Sequence, residues 1–170
     1  MNIVLGSDHR GYHIKERLKV FLTQKGHVVA DCGAHADSSS DYPDFAVPAC
    51  LKVASGEADR GILMCGSGIG MTITANKVAG IRAALCHDEL TAEVSRRHND
   101  ANVLCLAADL LGDEIIRRMV EVWLNAPFDA GRHARRVQKM MAAEKHMSPT
   151  PEIVPGPCAP VSKPRPKQKT

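Results

Sequence analysis

The sequence contains few aromatic residues: one Trp, two Tyr and three Phe make up 4% of its 170 residues. Hydrophobic residues still account for 44%, so we expect a core built mostly from Val, Ile, Leu, Ala and Met. A chain of this length is typical of one domain. No apolar run approaches the roughly 20 residues that a membrane helix needs, and the first six residues read as a short strand instead of a secretory signal. The sequence therefore predicts no membrane association.

A Cys-x-x-Cys pair is also missing, although the sequence holds six cysteines. They stand at positions 32, 50, 65, 86, 105 and 158, and these spacings give no support to a zinc site or a thioredoxin-like redox pair. Because no secretory signal is recognised, we expect reduced thiols and a cytoplasmic location.

The body of the chain lacks an excess of basic residues. The formal net charge is +3, and residues 147–170 carry four basic residues against Glu152, so residues 1–146 are neutral overall. This distribution argues against nucleic-acid binding. Seven of the ten prolines lie between Pro149 and Pro166, among Lys, Ser and Thr. Such a composition cannot build a core, so we expect a domain over residues 1–146 and a flexible Pro/Lys-rich tail over residues 147–170.

Short apolar runs alternate with helical patterns through the domain. The runs predict strands at 2–5, 28–31, 61–64, 81–85 and 103–107, and the patterns predict helices at 12–25, from Pro43 onward, and at 69–78, 89–97, 113–124 and 132–145. Strict alternation predicts a three-layer α/β fold, Rossmann-like, with a five-stranded parallel sheet, helices on both faces and an additional C-terminal helix. Ligands are expected at the carboxyl ends of the strands.

The most informative stretch is Cys65-Gly66-Ser67-Gly68-Ile69-Gly70, which follows an apolar strand and opens a helix. Glycines there permit a tight turn and a close approach of the backbone to a ligand. Free N–H groups at a helix start attract anions, and the same field favours a thiolate. The stretch therefore offers a base or nucleophile beside a cradle of amide donors. A buried cysteine followed by a packing loop is the structural alternative.

Polar residues that follow separate strands are expected to gather at the carboxyl edge of the sheet. They are Asp8 and His9 after the first strand, Cys65 and Ser67 after the third, His87 and Asp88 after the fourth, and His98 and Asn99 at the end of the fourth helix.

Two other chemistries fit parts of this pattern. The glycines suggest a dinucleotide site, but Met71 occupies the place of the third glycine and the motif follows the third strand, not the first. Cys65 and His98 also suggest a Cys–His hydrolase, for which no further signature is present. The dinucleotide site and the hydrolase are both weaker interpretations than the one that follows.

Seven ordered motifs resemble those of ribose-5-phosphate isomerase type B and the related galactose-6-phosphate isomerase subunits. They are Ser7-Asp8-His9-Arg10-Gly11, Asp41-Tyr42-Pro43, the stretch from Cys65 to Gly70, Ala75-Asn76-Lys77, Gly80-Ile81-Arg82-Ala83, Ser95-Arg96-Arg97-His98-Asn99-Asp100-Ala101-Asn102 and Gly131-Arg132-His133. The resemblance covers about residues 1–145 and leaves out the tail.

The resemblance implies an aldose–ketose isomerase of a small sugar phosphate, without metal or cofactor, that is a homodimer or tetramer with sites between subunits. Cys65 matches the family's base, and Met71 stands where another branch has a glutamate, which supports the thiol. His98 matches the residue that opens the sugar ring. The other matches are Ser67, Asn99 and the amides of Gly66, Gly68 and Gly70 for the enediolate, Asp8 and Tyr42 for the sugar, and His9, Arg132 and Arg136 for the phosphate.

Structural alternatives remain open: Asp8 as a helix cap, His98 as a packing residue, and Arg132 with Arg136 as a solvated face. His87, His133, Cys32, Cys50, Cys86 and Cys105 are interpreted as structural. The sugar is open too, because allose 6-phosphate, galactose 6-phosphate and tetrose phosphates present the same carbonyl and phosphate as ribose 5-phosphate. A non-catalytic partner subunit and a phosphosugar-binding regulator are the remaining alternatives, and the presence of both Cys65 and His98 argues against a silent subunit.

One position departs from the family pattern. Relatives commonly carry an arginine in the turn after the last strand, where it reaches the phosphate of the neighbouring subunit's site, and Asp109 stands there in this chain. A carboxylate would repel a phosphate dianion. Either Asp109 turns away, or Arg10 or Arg97 compensates, or the preferred substrate is not ribose 5-phosphate. We hypothesise that specificity has drifted, with Asp109 accepting a substrate hydroxyl or pairing with a nearby arginine.

Overall fold

Five parallel strands form the middle layer of the protein, which we describe from a computed structural model covering residues 1–144. The strands are β1 (Asn2–Ser7), β2 (Val28–Asp31), β3 (Arg60–Cys65), β4 (Ala83–Leu85) and β5 (Val103–Ala107). Their order in the sheet is β2-β1-β3-β5-β4, and every neighbouring pair is parallel. The predicted five-stranded parallel sheet is confirmed.

Within the described residues, six helices complete the fold. They are α1 (Tyr12–Gln24), α2 (Pro43–Ala54), α3 (Ile69–Ala75), α4 (Glu89–Asn99), α5 (Asp113–Asn125) and α6 (Gly131–Glu144). Side chains alternate between the two faces of each strand, so the sheet carries two separate cores. Ile62 and Met64 of β3 belong to the core shared with α1, α4 and α5, whereas Leu63 and Cys65 belong to the core shared with α2 and α3. The predicted three-layer arrangement is therefore confirmed.

The fourth strand is shorter than predicted, because side chains take over the backbone groups at its beginning. The amide of Asn76 donates to the carbonyl of Ala83 and accepts from its N–H, both at 2.9 Å. The N–H of Arg82 donates to Oδ1 of Asn102 at 2.8 Å. The bond from Arg82 to Asn102 occupies the N–H just before Ala83, where β4 starts, and the bonds of Asn76 hold the end of α3 against that strand.

The fourth helix is longer than predicted and continues to Asn99. It begins with a capping box in which the side chains of Asp88 and Thr91 exchange bonds with each other's backbone N–H groups. Asp100 ends it in the left-handed conformation, with φ of 48°. The side chain of Asp100 accepts bonds from Arg82 and Arg96 at 2.9 and 2.8 Å, which fix this helix end to the start of β4.

None of the helices within residues 1–144 is long and apolar enough to cross a membrane. The predicted tail, residues 147–170, and the predicted end of the last helix at Lys145 lie outside the described residues.

A buried ion-pair network ties α1 to the end of β2. The ammonium group of Lys15, which is fully buried, donates to Glu16 and to Asp31, both at 2.6 Å, and Lys19 donates to the same oxygen of Asp31 at 2.9 Å. Burial raises the pKa of Asp31, but the bonds from Lys15, Lys19 and the N–H of Gly33 outweigh it and lower the pKa to about 2.

This network makes stability sensitive to acid. The pKa of Asp31 is lower in the folded chain than its ordinary value of 3.8, so its charge stabilises the fold above that pH and the contribution disappears as the pH falls toward 2. Asp31→Asn should lower the free energy of unfolding at pH 7 by on the order of 1–3 kcal/mol, because Lys15 keeps only Glu16 and loses a buried partner. It should also flatten the fall in stability between pH 5 and 3, measured by urea unfolding. The control is Glu57→Gln, which breaks the exposed pair with Lys52; solvent screens that pair, so the slope should change much less than in Asp31→Asn.

Candidate active site

The end of β3 presents a thiol to backbone donors. The N–H of Gly68 donates to the sulfur of Cys65 at 3.2 Å, and Gly68 adopts φ of 73°, which a side chain would disfavour. A Cβ at this position would also lie 2.5 Å from a methyl group of Leu85. The hydroxyl of Ser67 accepts a bond from the N–H of Ile69 at 3.3 Å, which shapes the turn into α3. The predicted arrangement of a cysteine beside an amide cradle is present.

The loops after β1 and before α2 flank this thiol. Oδ1 of Asp8 accepts bonds from the N–H groups of Arg10 and Gly11 at 3.0 and 3.1 Å and so stabilises the turn that leads into α1, whose N-cap is Gly11 and has no side-chain bond. Within residues 1–144, Oδ2 has no hydrogen-bond partner. Nδ1 of His9 lies 3.2 Å from both the N and the O of Ser40, which leaves Nε2 on the other side of the ring. Both residues thus keep a polar atom for a ligand.

Tyr42 lies against the far end of the glycine loop. A Cβ on Gly70 would meet atoms of the Tyr42 ring at 2.7–2.9 Å, so the ring lies directly on the glycine. The residue is 39% exposed and therefore partly open to solvent. Gly70 is thus needed for the close approach of the tyrosine to the loop.

Asp109 also lies beside the glycine loop. Its N–H donates to the carbonyl of Gly66 at 3.0 Å, and its Oδ2 accepts from Nε of Arg10 at 2.5 Å. Of the alternatives for this position, pairing with Arg10 is the one observed. Arg97 is engaged elsewhere, with Asp129 and Glu93.

The remaining described cysteines differ from Cys65 in their surroundings. Burial raises the pKa of Cys50 to about 12 and raises the pKa of Cys32, Cys86 and Cys105 as well. These thiols therefore stay protonated at neutral pH, which fits the structural role predicted for them. We call the thiol and its neighbours the carboxyl-edge cluster: Asp8, His9, Arg10, Tyr42, Cys65, Gly66, Ser67, Gly68, Gly70 and Asp109.

His98 lies in a second group of polar residues. Its ring stacks on that of His133, with centroids 4.1 Å apart and planes at 7°. Asp129 lies 4.0 Å from Nε2 of His98 and is held by Nε of Arg97 at 3.1 and 3.2 Å. The bond from Arg97 lowers the pKa of Asp129, which therefore remains a carboxylate facing the imidazole.

His133 is 7% exposed and joins His98 to the arginines of α6. Nε of Arg132 donates to Nε2 of His133 at 3.3 Å. Burial lowers the pKa of His133, and charge on His98, Arg132 and Arg136 lowers it further, so the ring is neutral. Arg132 and Arg136 are themselves exposed at the start of α6. We call this group the amino-edge cluster: Arg97, His98, Asn99, Asp129, Arg132, His133 and Arg136.

The two clusters lie at opposite ends of the parallel strands: the carboxyl-edge cluster at their carboxyl ends and the amino-edge cluster at their amino ends. This corrects the expectation that His98 and Asn99 join Cys65 at the carboxyl edge. The carbonyl of Asn99 accepts from Arg82, just before β4, so α4 has returned to the amino edge where it ends. The register pairs Gly61 with Val103 and Cys65 with Ala107. Those four steps along the strands separate the edges by about 13 Å. A Cys–His hydrolase pair within one chain is therefore excluded.

The sequence interpretation missed three members of these clusters. His133 was read as structural, yet it stacks on His98. Asp129 follows no recognisable motif and reaches His98 through the turn at Ala130, whose φ is 52°. Arg10 was considered only as a compensating cation, and its adjacency to Asp8 and His9 in the motif is the signal that favours it.

Within residues 1–144, His98, Asp129 and His133 also form a group whose possible metal-ligand atoms lie within 4.8 Å of one another. A shared ion requires nitrogen lone pairs that converge on one point. The two rings are parallel, so their lone pairs do not converge, and Asp129 is already neutralised by Arg97. This geometry favours an ion-pair and stacking arrangement over a metal centre.

The protein has a parallel α/β sheet with a thiol beside a backbone N–H, and it carries histidines and arginines that suit an anion. These features are typical of an enzyme that acts on a small anionic substrate. Residues 3–140 match the Ribose/Galactose Isomerase family. The chain belongs to this family and with it to the aldose–ketose isomerases.

Individual relatives agree with this membership. The chain is 42% identical to ribose-5-phosphate isomerase B of Escherichia coli over 143 residues, 84% of this chain and 96% of that protein. It is 39% identical to D-erythrulose-4-phosphate isomerase of Pectobacterium atrosepticum over 141 residues, 82% of this chain and 93% of that protein. The structure of Clostridium thermocellum ribose-5-phosphate isomerase B superposes with a TM-score of 0.86 and 48% identity, covering 87% of this chain and all of that one. The family resemblance read from the motifs is confirmed, as is the fold.

Proposed function

We propose that the protein interconverts ribose 5-phosphate and ribulose 5-phosphate through an enediolate, with Cys65 as the base. The observation that carries this proposal is the thiol of Cys65 beside the N–H of Gly68, at the position where the family places its base. The identity to ribose-5-phosphate isomerase B of E. coli supports the choice of sugar.

The chemistry needs a proton to leave the carbon beside a carbonyl and to return to the neighbouring carbon. Cys65 takes the proton from C2 of the aldose, electrons move to O1, and the enediolate that forms carries negative oxygen. The amides of Gly66, Gly68 and Gly70, with Ser67, stabilise that charge as an oxyanion hole does. The proton on O2 then passes to O1, the electrons on O2 form the C2=O2 carbonyl, and the protonated thiol returns its proton to C1, which gives the ketose and restores the base. Neither a metal nor a cofactor is required for this step.

Substrate arrives mainly as a ring, so its opening needs an acid–base group. An imidazole both gives and takes a proton near neutral pH, which suits His98. Asp129, held by Arg97, lies 4.0 Å from Nε2 of His98 and faces the ring, and Asn99, the next residue, is the amide that we assign to the enediolate. Arg132 and Arg136 offer cations to the phosphate from the amino-edge cluster, and His9 offers Nε2 of its ring from the carboxyl edge.

Cys65 and His98 lie about 13 Å or more apart along the strands of one chain. A substrate with five carbons cannot reach both within one protomer, so we propose that the working site combines the carboxyl-edge cluster of one chain with the amino-edge cluster of a second copy. Exposed apolar side chains beside these clusters, Ile69, Ile73 and Leu90, are available to such a contact. Whether the assembly is a dimer or a tetramer does not change this requirement.

A complementation experiment tests the shared site. Cys65→Ala and His98→Asn chains are each expected to be nearly inactive, but a co-refolded equimolar mixture should regain activity because about a quarter of all sites combine two unaltered halves. Turnover of ribose 5-phosphate measures the recovery. The control mixes Cys65→Ala with Cys65→Ser chains, where every site lacks the thiol. Activity no greater than the sum of the separate variants would show that one chain supplies both groups.

Other sugar phosphates are the second candidate, favoured by the relative named as a D-erythrulose-4-phosphate isomerase. The purified chain should be assayed with ribose, allose and galactose phosphates and with erythrulose 4-phosphate. A preference for ribose 5-phosphate in kcat/KM supports the proposal, and turnover of none of them favours a non-catalytic subunit or a phosphosugar-binding regulator. A cytoplasmic location remains our expectation for an enzyme that acts on phosphorylated sugars with free thiols.

A further inference from the structure

Arg10 and Asp109 form an ion pair across the first glycine of the loop. Nε of Arg10 donates to Oδ2 of Asp109 at 2.5 Å, and the backbone N–H of Asp109 is fixed to the carbonyl of Gly66 at 3.0 Å. A Cβ on Gly66 would meet both side chains at 3.0 Å or less, so the pair lies directly over this residue. The pair is therefore part of the wall of the thiol site and not a distant surface contact.

The ion pair with Asp109 engages only one of the three nitrogens of the Arg10 guanidinium group. Asp109 contacts Nε alone, and within residues 1–144 neither terminal nitrogen of Arg10 has a hydrogen-bond partner. The Arg17–Asp113 pair is different, because Nε and Nη2 of Arg17 both bind the carboxylate. A guanidinium whose two terminal nitrogens are free can form a bidentate contact with a phosphate, which Arg17 cannot do without breaking its own pair.

Arg10 lies next to residues that we assign to substrate binding. Arg10 follows His9, whose Nδ1 is engaged with Ser40 and whose Nε2 is left for a ligand. Asp109 raises the pKa of Arg10 through their hydrogen bond, so the guanidinium is permanently charged. The carboxylate thus does not face a phosphate alone: its charge is already neutralised by a cation that has donors left over.

We infer that Arg10 binds the phosphate of the substrate and that Asp109 is the positioning residue that holds its guanidinium in place. This rests on the proposed function for the identity of the substrate, and it replaces the hypothesis that Asp109 contacts a substrate hydroxyl. Asp109 acts through Arg10 and does not touch the substrate. The arrangement gives this chain a phosphate contact from the loop after β1, in place of one from the turn after β5.

The inference is tested with inorganic phosphate and ribose 5-phosphate on Arg10→Gln, Asp109→Asn and the double variant. Arg10→Gln should raise the Kd of inorganic phosphate, measured by calorimetry, and the KM of ribose 5-phosphate by about 10- to 100-fold, since charged hydrogen bonds are lost. The kcat should change by less than about threefold, because the reacting carbons lie elsewhere. Asp109→Asn should raise both constants by a smaller factor, about 3- to 10-fold, and add nothing in the double variant.

Each alternative has its own result. A carboxylate that only repels phosphate would make Asp109→Asn bind phosphate more tightly, which would overturn the positioning role. An unchanged Kd for Arg10→Gln would overturn the phosphate contact. The matched control is Arg17→Gln, which breaks a similarly exposed ion pair of α1. If the Kd of phosphate rose equally in that variant, the loss of affinity in Arg10→Gln would come from the change in net charge and not from a specific contact. Arg10→Lys should recover only part of the affinity. Failure of the proposed function can be distinguished from failure of this inference, because calorimetric binding of inorganic phosphate does not require the protein to turn over ribose 5-phosphate.

Discussion

Replacing Cys65 by alanine should reduce kcat for ribose 5-phosphate by about 10²- to 10⁴-fold, the range that a positioned acid–base group supplies. Binding of the sugar phosphate should survive, because the thiol contributes to proton transfer and not to the phosphate contacts. The measurement is single-turnover isomerisation together with calorimetric binding of ribose 5-phosphate. Near-normal kcat in Cys65→Ala would show that another group removes the proton.

The local structure gives the reason for so large an effect. Cys65 is 5% exposed and its sulfur accepts the N–H of Gly68, so in the proposed mechanism the loop that holds the sulfur also lies beside the enediolate. The buried Cys105 also belongs to this core, but burial raises its pKa and it cannot replace Cys65 as a base. Among the described cysteines, Cys65 is the one whose sulfur accepts a hydrogen bond from a backbone N–H.

Cys32→Ala is the matched control, since Cys32 is a half-buried thiol at the end of β2. Its loss should leave kcat and KM nearly unchanged. Iodoacetamide should inactivate the Cys32→Ala chain, and bound substrate should protect it, which separates alkylation of Cys65 from modification of an unrelated thiol.

The sheet was predictable from the sequence because each strand is a short apolar run followed by a helical pattern. Ile62, Leu63 and Met64 are fully buried, and no alternative element fits a run of that length between polar turns. The ends of elements were less predictable. α3 and β4 are both shorter than predicted, and the side chain of Asn76 joins their ends, a contact between residues that sequence patterns treat separately.

The carboxyl-edge cluster was also predictable in large part, because strand ends in a parallel sheet meet at one edge. Asp8 and Cys65 each follow a strand directly, and the register places Ser7 beside Met64. His98 could not be placed in this way. It closes a helix that runs back from the carboxyl edge, and only the length of α4 and the bond from Arg82 to Asn99 show where that helix ends.

The partners of individual charges were the least predictable feature. Asp109 and Arg10 are 99 positions apart, and Asp129 and Arg97 are 32 apart, so neither pair follows from a local motif. The two pairs differ in consequence. Asp129 lies 4.0 Å from Nε2 of His98, whereas Asp109 binds Nε of Arg10 and, within residues 1–144, leaves its two terminal nitrogens without a partner. The same residue types are therefore assigned to two different proposed roles, ring opening at one edge and phosphate binding at the other.

Replacing His98 by asparagine should slow the reaction of ribose 5-phosphate by about 10²-fold or more, while erythrulose 4-phosphate, if it is turned over, should lose far less. Ribose 5-phosphate closes a furanose ring through its O4, and a proton must be moved to open it. Erythrulose 4-phosphate has no free hydroxyl at the distance needed for such a ring. Asparagine keeps a polar side chain of similar length but cannot exchange a proton at neutral pH, so it removes the acid–base function selectively.

Steady-state kcat/KM with the two sugars gives the comparison, and His87→Asn is the matched control because His87 is exposed just before the other end of α4. That control should leave both sugars unaffected. Equal losses for the cyclic and the open substrate would mean that His98 acts in the isomerisation step itself or in binding. His133→Asn provides a further test, because it removes only the ring that stacks on His98. It should lower kcat/KM less than His98→Asn does, and again more for the cyclic substrate than for the open one. A loss in His133→Asn without that preference would place His133 with Arg132 in phosphate binding instead.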